Sequence, residues 1–61
     1  VRKERLIAAR KEKKLSQDQV AKELGINRST YACYEIGHRE PSILNLKKIS
    51  KYFNRSIEEL F

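Results

Sequence analysis

The sequence predicts an all-α fold, a compact bundle of five short helices, and three observations carry that prediction. Strand signals are nearly absent, with no alternating β-branched run and no Asn-Gly or Asp-Gly hairpin. Breakers at Gly25, Gly37 and Pro41 cut the chain into short periodic segments. Residues of helix-capping type open nearly every one of those segments. With no internal repeat, low-complexity tract or linker, the 61 residues read as one domain over 1–61, close to the smallest size that folds without a staple.

Residues 2–13 are predicted as a charged first helix with Leu6, Ala9 and Arg10 on its inner face. "SQDQ" at 16–19 reads as a capping box, Ser16 with Gln19, opening a second helix that runs to about Leu24. Gly25 ends it in the left-handed region that glycine tolerates best. The third helix, 27–36, opens at Asn27 and closes at Gly37, both good cap types. A fourth follows Pro41 and Ser42 and carries Leu46, Ile49, Ser50 and Phe53 on one face. "SIEE" at 56–59 is a second capping box, Ser56 with Glu59, and opens a final short helix through Leu60 and Phe61.

Fourteen Lys and Arg against eight acidic residues, a formal net charge of +6, suggest an anionic partner, with nucleic acid and membrane surface as candidates. Charge alone would equally suit a generic solvated surface. No apolar run approaches a bilayer span, and Pro41 with two glycines breaks the continuous basic helix that a membrane-surface peptide needs. No signal-peptide core is present, and the chain opens on Val1 rather than methionine, as a processed or trimmed chain would. So small a protein has no room for an enclosed substrate cavity beside its core. It also lacks a nucleophile–base pair, a metal-ligand set and a phosphate loop, which argues against an enzyme and implies no cofactor and no metal. The single Cys33 excludes an intramolecular disulfide and suits a reducing cytoplasm.

Helices two and three are joined by only a few residues around Gly25 and Ile26. So short a connection forces a steep crossing, the geometry of a helix-turn-helix, and the small Ala21 lets the two helices approach. On a wheel of 3.6 residues per turn, Tyr31 and Tyr34, flanked by Asn27 and Glu35, join Val20, Leu24 and Ile26 in the core. Arg28, Ser29, Ala32 and Cys33 fall on the other side. That outward side is not the Lys/Glu mixture of an ordinary exposed helix. It is short, mostly uncharged and headed by one arginine, an array suited to a crowded groove of hydrogen-bonding edges and methyl groups.

The run "LSQDQVAKELGINRSTYACYEIGHREPS", with "LKKISKYFNRSIEEL" after it, resembles the DNA-binding domain of the Cro and phage-repressor (XRE) helix-turn-helix family, a lambda-repressor-like fold. The likeness covers essentially the whole chain and places the helix-turn-helix motif at about 16–36. The alanine and glycine of the turn, the glutamate-x-glycine after helix three and the proline before helix four all fit, in order and without a gap.

The resemblance implies that helix two lies across the DNA backbone and helix three enters the major groove. Carried over by position, it implies that Gln17 contacts a phosphate from the start of helix two. Asn27, Arg28, Ser29, Ala32 and Cys33 should face base edges, with Thr30 nearer the backbone. Arginine can take guanine O6 and N7 together, serine can donate or accept, and alanine or Cys33 can touch a thymine methyl. His38 and Arg39 should meet phosphate through side chains and backbone N–H groups. The helix N-termini at Ser16 and Asn27 add positive dipole ends. Two positions depart from the usual pattern: Tyr31 stands where a smaller aliphatic residue is common, and Cys33 is a less typical reader than glutamine, asparagine or arginine.

Arg10 lies one turn after Leu6 and Glu35 one turn after Tyr31, so each charge sits on or beside a core-facing stripe. An interhelix salt bridge is the natural reading, and the family resemblance points the same way. Cys33 reads as a small side chain rather than a redox sensor, and His38 as a solvated or phosphate-facing loop residue. Lys11, Lys13 and Lys14 suit a helix C-terminus whether or not they touch DNA. Helix five offers Ile57, Leu60 and Phe61; Leu60 and Ile57 are expected to serve the core, with Ile57 and Phe61 bordering a patch for a two-fold partner. The expected function is therefore sequence-specific recognition of double-stranded DNA by a homodimeric transcriptional regulator of repressor type, without membrane or metal. The rival is a protein-interaction module, such as an antitoxin or adaptor on the same fold. Such a module predicts an apolar or acidic surface on helix three, where this chain has "NRST".

Overall fold

Four of the five helices open on a side chain that closes their first turn, and these caps set the element boundaries in the computed structural model, which describes residues 1–61. The elements are α1 (Glu4–Glu12), α2 (Gln17–Leu24), α3 (Arg28–Ile36), α4 (Ile43–Phe53) and α5 (Ile57–Leu60). Both capping boxes form: the Ser16 hydroxyl accepts from Gln19 N at 3.1 Å while Gln19 Oε1 accepts from Ser16 N at 2.8 Å. Ser56 and Glu59 repeat the exchange at 3.2 and 3.0 Å. Each such cap contributes roughly 1 kcal/mol by pairing backbone donors that a helix start leaves free.

α1 is shorter than 2–13 at both ends. Its N-terminal side carries no side-chain cap, and Lys3 N donates instead to the Glu35 carbonyl at 2.7 Å, tying the incoming segment to α3. Its C-terminal side unwinds where Lys14 turns left-handed at φ 57. Ile7 is buried beside Leu6 and Ala9, so the inner face is wider than the two apolar positions and Arg10 suggested. Gly25 and Gly37 close α2 and α3 at φ 72 and 78. Asn54, at φ 55, does the same for α4, a side chain whose local hydrogen bonding makes the left-handed region tolerable.

The core gathers Leu6, Ala9, Val20, Ala21, Leu24, Tyr31, Tyr34, Ile49, Phe53 and Leu60, with Leu15, Ile26, Tyr52 and Phe61 packed partly against it. α2 packs on α3, α1 and α4 on α5, and the almost fully buried Ala21 sits just before the turn into α3. A four-residue helix has no stability of its own. α5 holds because Leu60 is fully buried, a gain of roughly 1.5–3 kcal/mol, added to its capping box. Ile57 does not join it: the residue is 38% exposed, a correction to its expected place in the core. First-turn side chains lean toward the N-terminal end of their helix, which carries Ile57 to the rim of the docking surface. No helix is long and apolar enough to cross a membrane.

Candidate nucleic-acid interface

The outward face of α3 is built by the same periodicity that fills its inward one. Tyr31, Tyr34 and Glu35 are buried. Arg28 and Ser29 are exposed at the first turn, with Asn27 before them, and Thr30, Ala32 and Cys33 are half-buried. Asn27 spends its carbonyl on the helix: Oδ1 accepts from Ser29 N at 2.8 Å. Asn27 still offers its amide NH2 outward as a donor, with one lone pair left on Oδ1. The backbone N–H groups of Arg28 and Thr30 donate to no protein group, nor do those of Gln17 and Asp18 at the start of α2. Two helix starts thus present free donors and positive dipole ends, the arrangement that accepts anions.

The inward side of α3 is held by charge as well as by packing. Glu35 is 1% exposed, and its carboxylate accepts from Arg10 Nε at 2.7 Å, from Arg10 Nη2 at 3.3 Å and from Gln17 Nε2 at 2.9 Å. Arg10 also donates through Nη1 to the Leu15 carbonyl at 2.9 Å, so one guanidinium ties α1, the turn before α2, and α3. Burial alone would push the Glu35 carboxyl up; the hydrogen bonds from Arg10 and Gln17, with the Arg10 charge, outweigh it and hold the group below its ordinary range. The Glu35 hydrogen bond in turn raises Arg10. Tyr31 is pushed up by burial and by the neighbouring carboxylate, and its buried hydroxyl meets no partner at hydrogen-bonding geometry.

Gln17 therefore faces two ways. It is half-buried at the first position of α2, one amide hydrogen engaged by Glu35, on the border between the core and the outward surface. Nothing in the sequence pattern announced that bond, because it joins residues eighteen apart through a side chain rather than a face.

The segment after α3 differs from expectation in its backbone. His38 N and Arg39 N both donate to the Cys33 carbonyl, at 2.9 and 3.3 Å, closing the helix C-terminus. The expected backbone contact to phosphate therefore does not fall to these two N–H groups; the side chains of His38 and Arg39 are exposed, and the uncommitted N–H groups lie further on, at Glu40 and at Ser42 before α4. Tyr34 reaches the same region from within, its hydroxyl accepting from Asn45 Nδ2 at 2.9 Å while Asn45 N donates to the Ser42 cap. That pair fixes the start of α4 against α3. Ile43 and Leu44, each 72% exposed, stand at that start. A wheel of α4 places Leu44 opposite Leu46 and Ile49, so its exposure is legible in the helical period.

The sequence model of the helix-turn-helix family matches residues 6–60. The chain is 44% identical over 57 residues to the HTH-type transcriptional regulator YqaE of Bacillus subtilis (strain 168), covering 93% of this chain and 49% of that protein. It is 43% identical over 58 residues to the cryptic phage CTXphi transcriptional repressor RstR of Vibrio cholerae serotype O1, covering 95% and 52%. It is 39% identical over 57 residues to the HTH-type transcriptional activator BcrR of Enterococcus faecalis, covering 93% and 28%. The chain thus spans about half the length of the first two relatives and less of the third. No solved structure matches it significantly.

Proposed function

Because the chain belongs to the helix-turn-helix family, we propose that it binds double-stranded DNA sequence-specifically as a transcriptional regulator, with α3 in the major groove and α2 across the phosphate backbone. The observation that carries this reading is the division of α3. Its tyrosines and Glu35 are spent on the fold, while Asn27, Arg28 and Ser29 at its N-terminal end are exposed with no structural partner for the Arg28 guanidinium. An arginine and short polar side chains at a helix start fit a groove where bases offer paired acceptors, donors and a methyl group. Thr30, Ala32 and Cys33 continue the surface, and Gln17, His38 and Arg39 flank it as phosphate contacts.

The assembly we propose is a homodimer on an inverted repeat, joined through the patch that includes Ile57 and Phe61. Its action is repression, which needs only occupancy of a promoter, whereas activation needs a further surface for the polymerase. Selection of bound fragments from random duplex DNA tests the central claim. An enriched inverted repeat is expected, and retention of random fragments without enrichment would refute sequence-specific reading.

A further inference from the structure

Gln17 and Glu35 belong to different helices, yet the Gln17 amide nitrogen donates to Glu35 Oε1 at 2.9 Å. We propose that Glu35 is a positioning residue for DNA binding, its buried carboxylate orienting the Gln17 amide so that the free N–H is offered to a backbone phosphate. The inference rests on the reading of Gln17 as a phosphate contact.

A glutamine amide is ambivalent: one end donates, the other accepts, and rotation about its last bond exchanges them. A phosphate accepts only, so an unconstrained glutamine facing it presents the wrong end part of the time. Glu35 removes that freedom. As a carboxylate it also accepts only, so the NH2 end must turn toward it, and the Glu35 side chain is 2% exposed, leaving it no water to bond instead. Nε2 carries two hydrogens and Glu35 engages one. The second is uncommitted on a half-buried side chain at the start of α2, where the backbone N–H groups of Gln17 and Asp18 are uncommitted too. A phosphate at that helix start can meet the two backbone N–H groups and the second amide hydrogen of Gln17.

The same carboxylate would repel DNA if it stood alone. Arg10 answers this by contacting both of its oxygens, at 2.7 and 3.3 Å, so that a neutral pair lies behind the amide. The orienting group comes from α3, so the helix placed in the groove also sets the contact that α2 makes with the backbone.

The test is a coupling cycle read on a short random-sequence duplex at low salt, since a phosphate contact carries no sequence information. Gln17→Ala is made in the wild-type chain and in a chain carrying Arg10→Met with Glu35→Leu. In the wild-type chain the substitution should weaken binding about tenfold, the scale of a hydrogen bond to a charged group. In the pairless chain it should change little, because an unoriented amide contributes little. An equal loss in both backgrounds overturns the role of Glu35. If Gln17→Ala binds as tightly as wild type, the phosphate contact and this inference both fall while DNA binding stands; if the wild-type chain binds no duplex, the DNA-binding reading itself falls. A second measurement needs no variant. In the wild-type chain one Gln17 side-chain amide proton should be shifted and slowed in exchange relative to the exposed Gln19, and duplex should move the other. Two Gln17 protons indistinguishable from those of Gln19 would overturn the proposal.

Discussion

Arg10 and Glu35, twenty-five residues apart, meet side-on in the interior, two guanidinium nitrogens on two carboxylate oxygens, with side-chain exposures of 14% and 2%. Two charges so placed have left water, and their mutual attraction must offset that loss. What the pair adds is direction: α1 and α3 join at one angle, and the carboxylate is left with a lone-pair site that Gln17 fills.

Breaking the pair from one side should therefore cost more than removing it. Arg10→Met leaves a buried carboxylate without its partner, which costs on the order of 3–5 kcal/mol, whereas Arg10→Met with Glu35→Leu leaves no charge behind and can be nearly neutral. Urea denaturation should rank wild type and the double variant well above Arg10→Met. Equal midpoints for Arg10→Met and wild type would remove the pair from the account of stability.

Acid should act through the same group. The Glu35 carboxyl titrates below its ordinary value of 4.5 in the folded protein, the hydrogen bonds and charge around it outweighing burial. A depressed folded pKa means the unfolded chain takes up protons first, so the stabilisation is present above about pH 4.5 and is lost as pH falls through the folded value. The wild-type domain should lose stability between neutral pH and pH ~3 more steeply than the Arg10→Met, Glu35→Leu variant, with stabilities read at each pH. Parallel curves would mean that other carboxylates govern acid unfolding.

Much of this fold is legible in the sequence because its determinants are local. Ser16, Asn27, Ser42 and Ser56 announce helix starts by side chains that reach three residues or fewer, and Gly25 and Gly37 announce ends by the backbone they permit. Which side of α3 faces outward also follows from its period, since two tyrosines three residues apart need cover. What escapes is whatever depends on a third element. The Gln17 amide meets Glu35 only once α2 has crossed α3, Tyr34 meets Asn45 only once α4 has returned, and Lys3 reaches the end of α3 through its backbone. Asn54 as a helix stop and the capture of His38 N and Arg39 N by Cys33 belong to closing turns whose chemistry is backbone, not side chain.

The two glycines separate conformational strain from crowding. Both are left-handed, so a β-carbon at either should cost roughly 1–2 kcal/mol. At Gly25 nothing lies within 4 Å of that carbon, but at Gly37 it would clash with the backbone carbonyl of Val1. Gly37→Ala must displace the segment held by the Lys3–Glu35 backbone bond, and Gly25→Ala displaces nothing. Thermal midpoints should fall further for Gly37→Ala, with increased hydrogen exchange at Lys3 N. Matching midpoints would show that the incoming segment contributes no stability.

Assembly should respond to the rim of α5. Ile57 is 38% exposed and Phe61 only partly packed, beside the buried Leu60 that holds the helix in place. Ile57→Lys should leave the fold intact and weaken self-association and binding to a two-half-site duplex, while binding to a single half-site is unchanged. A two-fold dimer places its α3 helices about 34–36 Å apart, so half-site centres one turn apart should bind best. Sedimentation showing one protomer per inverted repeat at saturation would refute the dimer.

Reading and gripping should part under mutation. Arg28 is exposed and assigned to a base edge, where a bidentate contact to guanine discriminates by roughly 1–3 kcal/mol. Arg28→Ala should therefore weaken the selected site far more than random duplex and relax preference at one position in each half-site. Gln17→Ala should weaken both kinds of DNA by similar factors, and being a neutral change it should barely alter the dependence on salt. Arg39, exposed after α3, is assigned to phosphate through its side chain, so Arg39→Ala should lower the salt slope by about one unit. The control lies on the opposite face: Tyr31→Phe removes a fully buried hydroxyl beside the Glu35 carboxylate, and should leave the ratio of specific to random affinity near wild type. Titration on specific and random duplex at several salt concentrations, with circular dichroism to monitor folding, separates the four variants. If Arg28→Ala leaves the ratio of specific to random affinity unchanged, the outward face of α3 does not read the bases.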